Sequence, residues 1–247
     1  MDEKIYISHD LYYLKNKLYF SDSTKDILVN DKNWHIYLND YGWEKLPYGW
    51  KIRLKEKGNF KFGLLDCGSQ GDCLFHCISE ALNSNNLENN SYDVSKLRKI
   101  TSESINEDNF EIILLNYKCE VESNTFNGLW EPMKIQNIKQ LQDEINKEGD
   151  SFWGDHILLQ LLLEKLELNV IILNDKIDNN DYTIRPLACD INKYSKTIIL
   201  YYHDECHFQL VGYFNNNKMN TLFEKDVLPK VLLDVYYQDC NLNYKIN

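Results

Sequence analysis

The chain has 247 residues, 43% of them hydrophobic, with five Trp and seventeen Tyr, which is ample for a core and excludes wholesale disorder. A formal charge of −11 and a pI near 5.0 argue against non-specific binding to DNA or RNA, which needs a basic surface, and suit a protein that meets a basic partner. No apolar run approaches the ~18 residues of a membrane span, the start Met1-Asp2-Glu3-Lys4 lacks the features of a signal peptide, and seven cysteines without regular spacing read as reduced thiols in a cytosolic setting.

Residues 5–55 mix short apolar and aromatic groups with turn formers. Residues 34–38 read as a short strand, and 52–54 as another. The aromatic-rich segment 41–50 between them is expected to pack a small subdomain or the flank of the main one. A soft boundary near Gly58-Asn59 divides an N-terminal extension, 1–57, from the main domain, 58–214. A C-terminal extension, 215–247, follows. The segment from Leu65 to Cys73 carries no apolar pattern. From Leu74 the period becomes helical, with Leu74, Phe75, Ile78, Ala81 and Leu82 on one face. Asn83-Ser84-Asn85-Asn86 is a stop signal. Val94, Leu97, Ile100, Thr101 and Ile105 mark a second helix, with Asp93 placed to cap it.

A third helix is expected over 108–117, a loop over 118–136, and a short helix around Ile138, Leu141 and Ile145. The strongest helical pattern follows Phe152-Trp153-Gly154-Asp155: Ile157, Leu158, Leu161, Leu162 and Leu166. Residues 168–173 are a nearly continuous apolar run, as in a central strand. A polar turn over 174–181 leads to an edge strand ending at Pro186. Residues 197–202 and 207–213 read as two strands joined by 203–206. The tail is helical at Val227, Val231, Leu232 and Val235. Helices first and strands later around one core indicate an α+β or three-layer α/β/α domain.

Cys73 sits where a loop becomes a helix. The first helical amides lack internal partners, and the dipole there favours negative charge. A thiol at that position is expected to lose its proton more easily, and the thiolate is the reactive form. Gly71 lets the backbone turn sharply. The amides of the same loop are placed to hold the oxyanion of a tetrahedral intermediate. His207, opening a strand far downstream, is the natural partner: imidazole takes the thiol proton and later protonates a leaving amine. A cysteine with a distant histidine is a weak signal by itself. Cys67, Cys73, His76 and Cys77 with His203, Cys206 and His207 also suggest a zinc site, although adjacent helical side chains diverge. Cys77 reads more simply as a small core residue, His76 as a solvated or hydrogen-bonded side chain, Cys206 as a bystander and Trp153 as a core or helix-entry aromatic.

Three segments carry a resemblance. Gly71-Asp72-Cys73-Leu74-Phe75-His76 resembles the nucleophile motif of the ovarian-tumour (OTU) family of cysteine proteases, usually Asp-Gly-x-Cys-Leu/Phe-Phe/Tyr. Trp153-Gly154 with the Leu-rich helix and Val170-Ile171-Ile172 is similar to that family's Trp-Gly, helix, strand segment. Cys206-His207-Phe208 resembles its closing His-aromatic motif. The three occur in the family's order and span roughly 60–214. The resemblance implies a papain-like α+β fold with a central, mostly antiparallel sheet flanked by helices. It makes Cys73 the nucleophile, His207 the general base and the loop Gln70, Gly71, Asp72 the oxyanion hole. The implied activity is hydrolysis of isopeptide or peptide bonds at the C-terminal glycine of ubiquitin or a ubiquitin-like protein, with no cofactor and no metal. Conjugates of these proteins become the partners; nucleic acid and membrane do not. The Asn-, Lys- and Ile-rich composition is what an AT-rich genome, such as that of a large DNA virus, produces, and would place the protein in a host cytoplasm.

Two positions depart from the family pattern. Gln70 stands where an Asp is usual, three residues before the nucleophile. Gln209 stands where an Asp or Asn orients the histidine. Gln209 alternates to the same side of its strand as His207, so its oxygen could accept from the imidazole. Asp66 and Asp204 are the alternative carboxylates. Ubiquitin's tail carries arginines before its terminal glycines, and Asp204, Glu205 and Asp155 are the candidate acceptors. The rival readings are a weak or inactive ubiquitin-binding module, which the Gln70 departure keeps open, and a zinc-stabilised interaction domain.

Overall fold

The computed structural model describes residues 4–22, 24–56, 58–84, 91–175, 182–185, 191–204 and 206–243. The chain opens with four antiparallel strands, β1 (Ile5–Tyr6), β2 (Leu11–Leu14), β3 (Lys17–Ser21) and β4 (Asp26–Leu28), in a small sheet of that order. Helices α1 (Trp34–Tyr37) and α2 (Tyr48–Arg53) flank strand β5 (Trp43–Lys45). After β6 (Phe62–Leu65) come α3 (Cys73–Asn83), α4 (Val94–Glu103), α5 (Phe110–Glu122), α6 (Ile138–Ile145) and α7 (His156–Leu166). The strands β7 (Leu168–Asn174), β8 (Ile184–Arg185), β9 (Lys196–His203), β10 (His207–Asn215), β11 (Lys218–Asn220) and β12 (Leu222–Glu224) follow, and α8 (Lys230–Asn243) ends the described chain.

The main sheet runs β5-β6-β10-β9-β7-β8, with β11 on β10 and β12 on β9. Every pairing is antiparallel except β7 with β9. Alternation along β9 explains the layers. Ile198 and Leu200 face a core built with α3, α4, α5, α6 and α7, whereas Ile199 and Tyr201 face a second core built with α2 and α8. Both faces of the central strands are therefore covered, which is why β7 reads as a continuous apolar run. This is the mixed, mostly antiparallel sheet between helices that the OTU resemblance implies.

Residues 34–38 and 52–54 form helical turns instead of the expected strands. The buried pairs are Trp34 with Leu38 and Trp50 with Leu54, both four residues apart, while Ile36 and Ile52 point to solvent at 60% and 61% exposure. That spacing is one helical face. Asn33 tightens the first turn by accepting from the Asn30 amide at 2.7 Å. The small N-terminal sheet and β6 had no sequence expectation, and α5 runs to Glu122, into the segment expected to be a loop. Of the expected edge strand, Ile184 and Arg185 form β8; Pro186 and most of the preceding polar turn lie outside the described residues.

The sheet crosses both expected boundaries. Trp43–Lys45 pairs with β6, and β11 and β12 add to β10 and β9. The Trp50 indole N–H donates to the Asn174 carbonyl at 2.8 Å, and Asp239 on α8 binds both Arg53 and the Ile184 amide. The flanking segments therefore complete the main core.

Candidate active site

The site begins at the end of β6. That strand pairs antiparallel with β10, Leu65 opposite Leu210. Continuing the register by one residue sets Asp66 beside Gln209 and one diagonal step from His207, all on the same face. Asp66 Oδ1 lies 3.2 Å from His207 Nε2. Beyond Asp66 the chain leaves the sheet through Gly68, against which the His76 ring packs so closely that a Cβ would sit 2.7 Å from it. Gln70 (φ 63°) and Gly71 (φ 83°) then adopt left-handed conformations that turn the backbone into α3. Gly71 is required on two counts, since a Cβ there would also meet the Gly149 carbonyl oxygen at 2.3 Å. Gln70 bears a conformational cost of ~1 kcal/mol for the same turn.

Asp72 occupies the N-cap position of α3 without capping it. Its carboxylate turns inward instead. Oδ1 accepts from Arg98 Nε at 2.6 Å, and Oδ2 accepts from the Gly149 amide at 2.6 Å. The amides of the first helical turn are thus left without a side-chain cap, the condition an oxyanion site needs. Arg98 is fully buried and donates also to the carbonyls of Ile145 (3.0 Å) and Phe152 (2.8 Å). Sequence reasoning missed this residue. The available signal was a charged side chain on the apolar face of α4, four residues after Val94 and three before Thr101.

Cys73 opens α3 and is buried. Its Sγ accepts from the Phe208 amide at 3.5 Å, and Cys77, one turn on, donates to the Phe208 carbonyl at 3.5 Å. Two thiols of α3 hold one residue of β10, Cys73 at the amide of Phe208 and Cys77 at its carbonyl, which fixes the start of that strand against the start of the helix. Burial pushes the Cys73 thiol up, more than the Phe208 and Leu74 amides pull it down. Burial outweighs the helix start, contrary to the sequence expectation of an easily lost proton, because the same packing that places the thiol also excludes water. His207 is turned to Asp66, and its ring makes no hydrogen bond to the thiol among the described residues.

The other candidates separate. Gln209 lies on the expected side of β10, but the ring nitrogen is met by Asp66. Asp204 (φ 47°) lies 3.2 Å from His203 Nε2, while Asp175 meets His203 Nδ1 at 2.6 Å. These three are the one group with metal-ligand spacing among the described residues. Their carboxylates sit on opposite nitrogens of one ring, an Asp–His–Asp chain and not a chelate. Glu205 lies outside the described residues. Asp155 caps α7 by accepting from the Leu158 amide at 2.8 Å, and burial raises its pKa to about 6. With Glu120, Trp153, Gly154, Cys206 and Phe208 it lines a cleft of about 280 Å³. Of the two expected places for Trp153, core or helix entry, it takes the second: it lies just before the Asp155 cap of α7 and is 36% exposed at this cleft, because Phe152 takes the core position against Tyr117 and Trp130. The neighbouring Gly154 amide donates to the Gly71 carbonyl at 3.2 Å.

The sequence model of a family described as OTU-like cysteine protease matches residues 68–209, more than half of the chain. Curated proteins yield no match. Among solved structures, an OTU domain in complex with ubiquitin is 16% identical, covering 72% of this chain and 83% of that one at a TM-score of 0.44. An OTU deubiquitinase from Wolbachia pipientis is 16% identical, covering 70% and 96% at 0.41. A viral OTU domain protease from Taggert virus is 10% identical, covering 90% and 99% at 0.40.

Proposed function

The chain belongs to the OTU-like cysteine proteases, and from this premise we propose that it hydrolyses the isopeptide or peptide bond after the C-terminal glycine of ubiquitin or a ubiquitin-like protein, with Cys73 as nucleophile, His207 as general base and Asp66 as the group that orients the imidazole. The observation that carries the assignment is Phe208 held by Cys73 at its amide and by Cys77 at its carbonyl, which brings the start of β10 to the start of α3.

Burial favours the protonated thiol, so in the proposed reaction His207 first takes its proton. The sulfur then attacks the glycine carbonyl carbon, and the carbonyl oxygen becomes an oxyanion beside the uncapped amides at the start of α3. The imidazolium passes its proton to the leaving amine as the C–N bond breaks, leaving a thioester on Cys73. Water attacks the thioester with His207 as base, the thiolate leaves, and a carboxylate is released. Asp66 holds the ring in orientation through Nε2. We assign this chemistry to residues 58–214, with 1–57 and 215–247 completing the sheet and core, and to a reducing cytoplasm that keeps the thiol free.

Ubiquitin carrying an electrophile at its C-terminus tests the reading. The wild type should form a covalent adduct that maps to Cys73, and Cys73→Ala should form none. Binding without capture would reduce the protein to a ubiquitin-binding module.

A further inference from the structure

We propose that Arg98, acting through Asp72, is a positioning residue that sets the oxyanion loop; this rests on the reading of Cys73 as nucleophile. A buried guanidinium loses its hydration and persists only where its donors are matched. Each hydrogen bond that Arg98 makes ends in a segment that shapes the loop. Nε reaches Asp72 within it, Nη1 reaches Ile145 at the end of α6, and Nη2 reaches Phe152. Its planar face covers the Phe75 ring, 4.5 Å away in the first turn of α3. The second oxygen of Asp72 holds the Gly149 amide, and the Gly71 carbonyl holds the Gly154 amide.

The consequence is directional. The acceptors of the loop, the Asp72 carboxylate and the Gly71 carbonyl, are engaged on the protein side. On the proposal, this leaves the amides at the start of α3 as the donors for the substrate's oxyanion. The same charge pair keeps Asp72 from folding back to cap α3, where it would occupy the amides an oxyanion needs. Arg98 thus does for the loop what a fixed dipole does for a transition state: it removes the reorganisation that would otherwise accompany reaction. It touches neither the substrate nor the thiol.

A purely cohesive role for Arg98 predicts lost stability and unchanged chemistry, so the test must separate the two. Removing one partner strands a buried charge, so the neutral pair Arg98→Met with Asp72→Asn is compared with Arg98→Lys, which keeps the charge but not the planar fork. On a ubiquitin–fluorophore substrate, the neutral pair should lower kcat by about 10- to 100-fold with KM within about twofold, Arg98→Lys less so, in preparations whose circular dichroism matches wild type. Affinity for ubiquitin ending in an aldehyde, which forms an oxyanion on the thiol, should fall by the same factor as kcat/KM. Alkylation of Cys73 by iodoacetamide, which forms no tetrahedral oxyanion, should keep its wild-type rate. A folded variant with wild-type kcat overturns the proposal, as does alkylation that falls in step with kcat. Should the neutral pair fail to fold, Arg98→Lys decides by the same criteria. Turnover persisting in Cys73→Ala would instead sink the parent reading.

Discussion

Asp66 reaches His207 across the edge where β6 leaves β10, with Oδ1 3.2 Å from Nε2. The contact joins residues far apart in sequence, and it exists because the β6–β10 register sets them on one face of the sheet. In the proposed reaction the Asp66 carboxylate orients the His207 ring through this contact. Asp66 is more than half exposed, so solvent screens part of its charge.

Replacing Asp66 by Asn or Ala should lower kcat by roughly 10- to 1000-fold, below the ~10⁴ that loss of a fully buried carboxylate brings in a serine-protease triad. Gln209→Ala should stay within a few-fold of wild type. Steady-state kinetics on a ubiquitin–fluorophore substrate give both numbers. A silent Asp66→Ala beside a damaging Gln209→Ala would return the role to the strand neighbour.

The two buried thiols of α3 should differ in activity and not in stability. Cys73→Ala should abolish turnover, and Cys77→Ala should keep it within about tenfold. Each change removes one sulfur from a buried position and one hydrogen bond to Phe208, so each should cost on the order of 1 kcal/mol of stability. Thermal melts and kinetics on the same preparations check both.

Asp155 makes stability pH-dependent. Its pKa rises from 3.8 to about 6 on folding. The folded chain therefore binds this proton more tightly than the unfolded one, so the group's contribution is fully present below pH ~3.8 and is lost as pH rises through about 6. Asn caps helices as well as Asp does and does not titrate. Asp155→Asn should therefore melt higher than wild type at pH 7, with the gap closing toward pH 4. A gap that is constant across this range would show that the carboxyl titrates alike in both states.

Gly71 and Gly154 should tolerate no side chain. A Cβ at Gly71 lies 2.3 Å from the Gly149 oxygen on a left-handed backbone, and one at Gly154 lies 2.7 Å from Leu74 Cβ. Each Ala variant should lose about 1–3 kcal/mol and most of its turnover, since both move the start of α3 against the segment ending at Trp153-Gly154. Denaturant titration with activity on the same sample checks this. Full activity in Gly71→Ala would mean that the loop has another working conformation.

Much of this chain is written locally. The apolar run of β7, the alternation in β9 and β10, and the helical periods of α3 and α7 each fall within a window of a dozen residues, and so do the three motifs around Cys73, Trp153-Gly154 and His207. Where a window is too short the period is ambiguous: Trp34 with Leu38 looks like a strand until burial shows one helical face. β6 escapes notice because only four residues pair and one, Gly63, has no side chain to pattern. Sequence narrowed the group that orients His207 to Gln209, Asp66 or Asp204, and the proposal of Asp66 rests on register, since a strand's neighbours are set by backbone hydrogen bonds that leave no mark on residue type. Arg98 was hidden for the same reason. Two of its partners are backbone carbonyls of Ile145 and Phe152, which every residue possesses, and only the packing of α4 against α6 and α7 brings them within reach of its guanidinium.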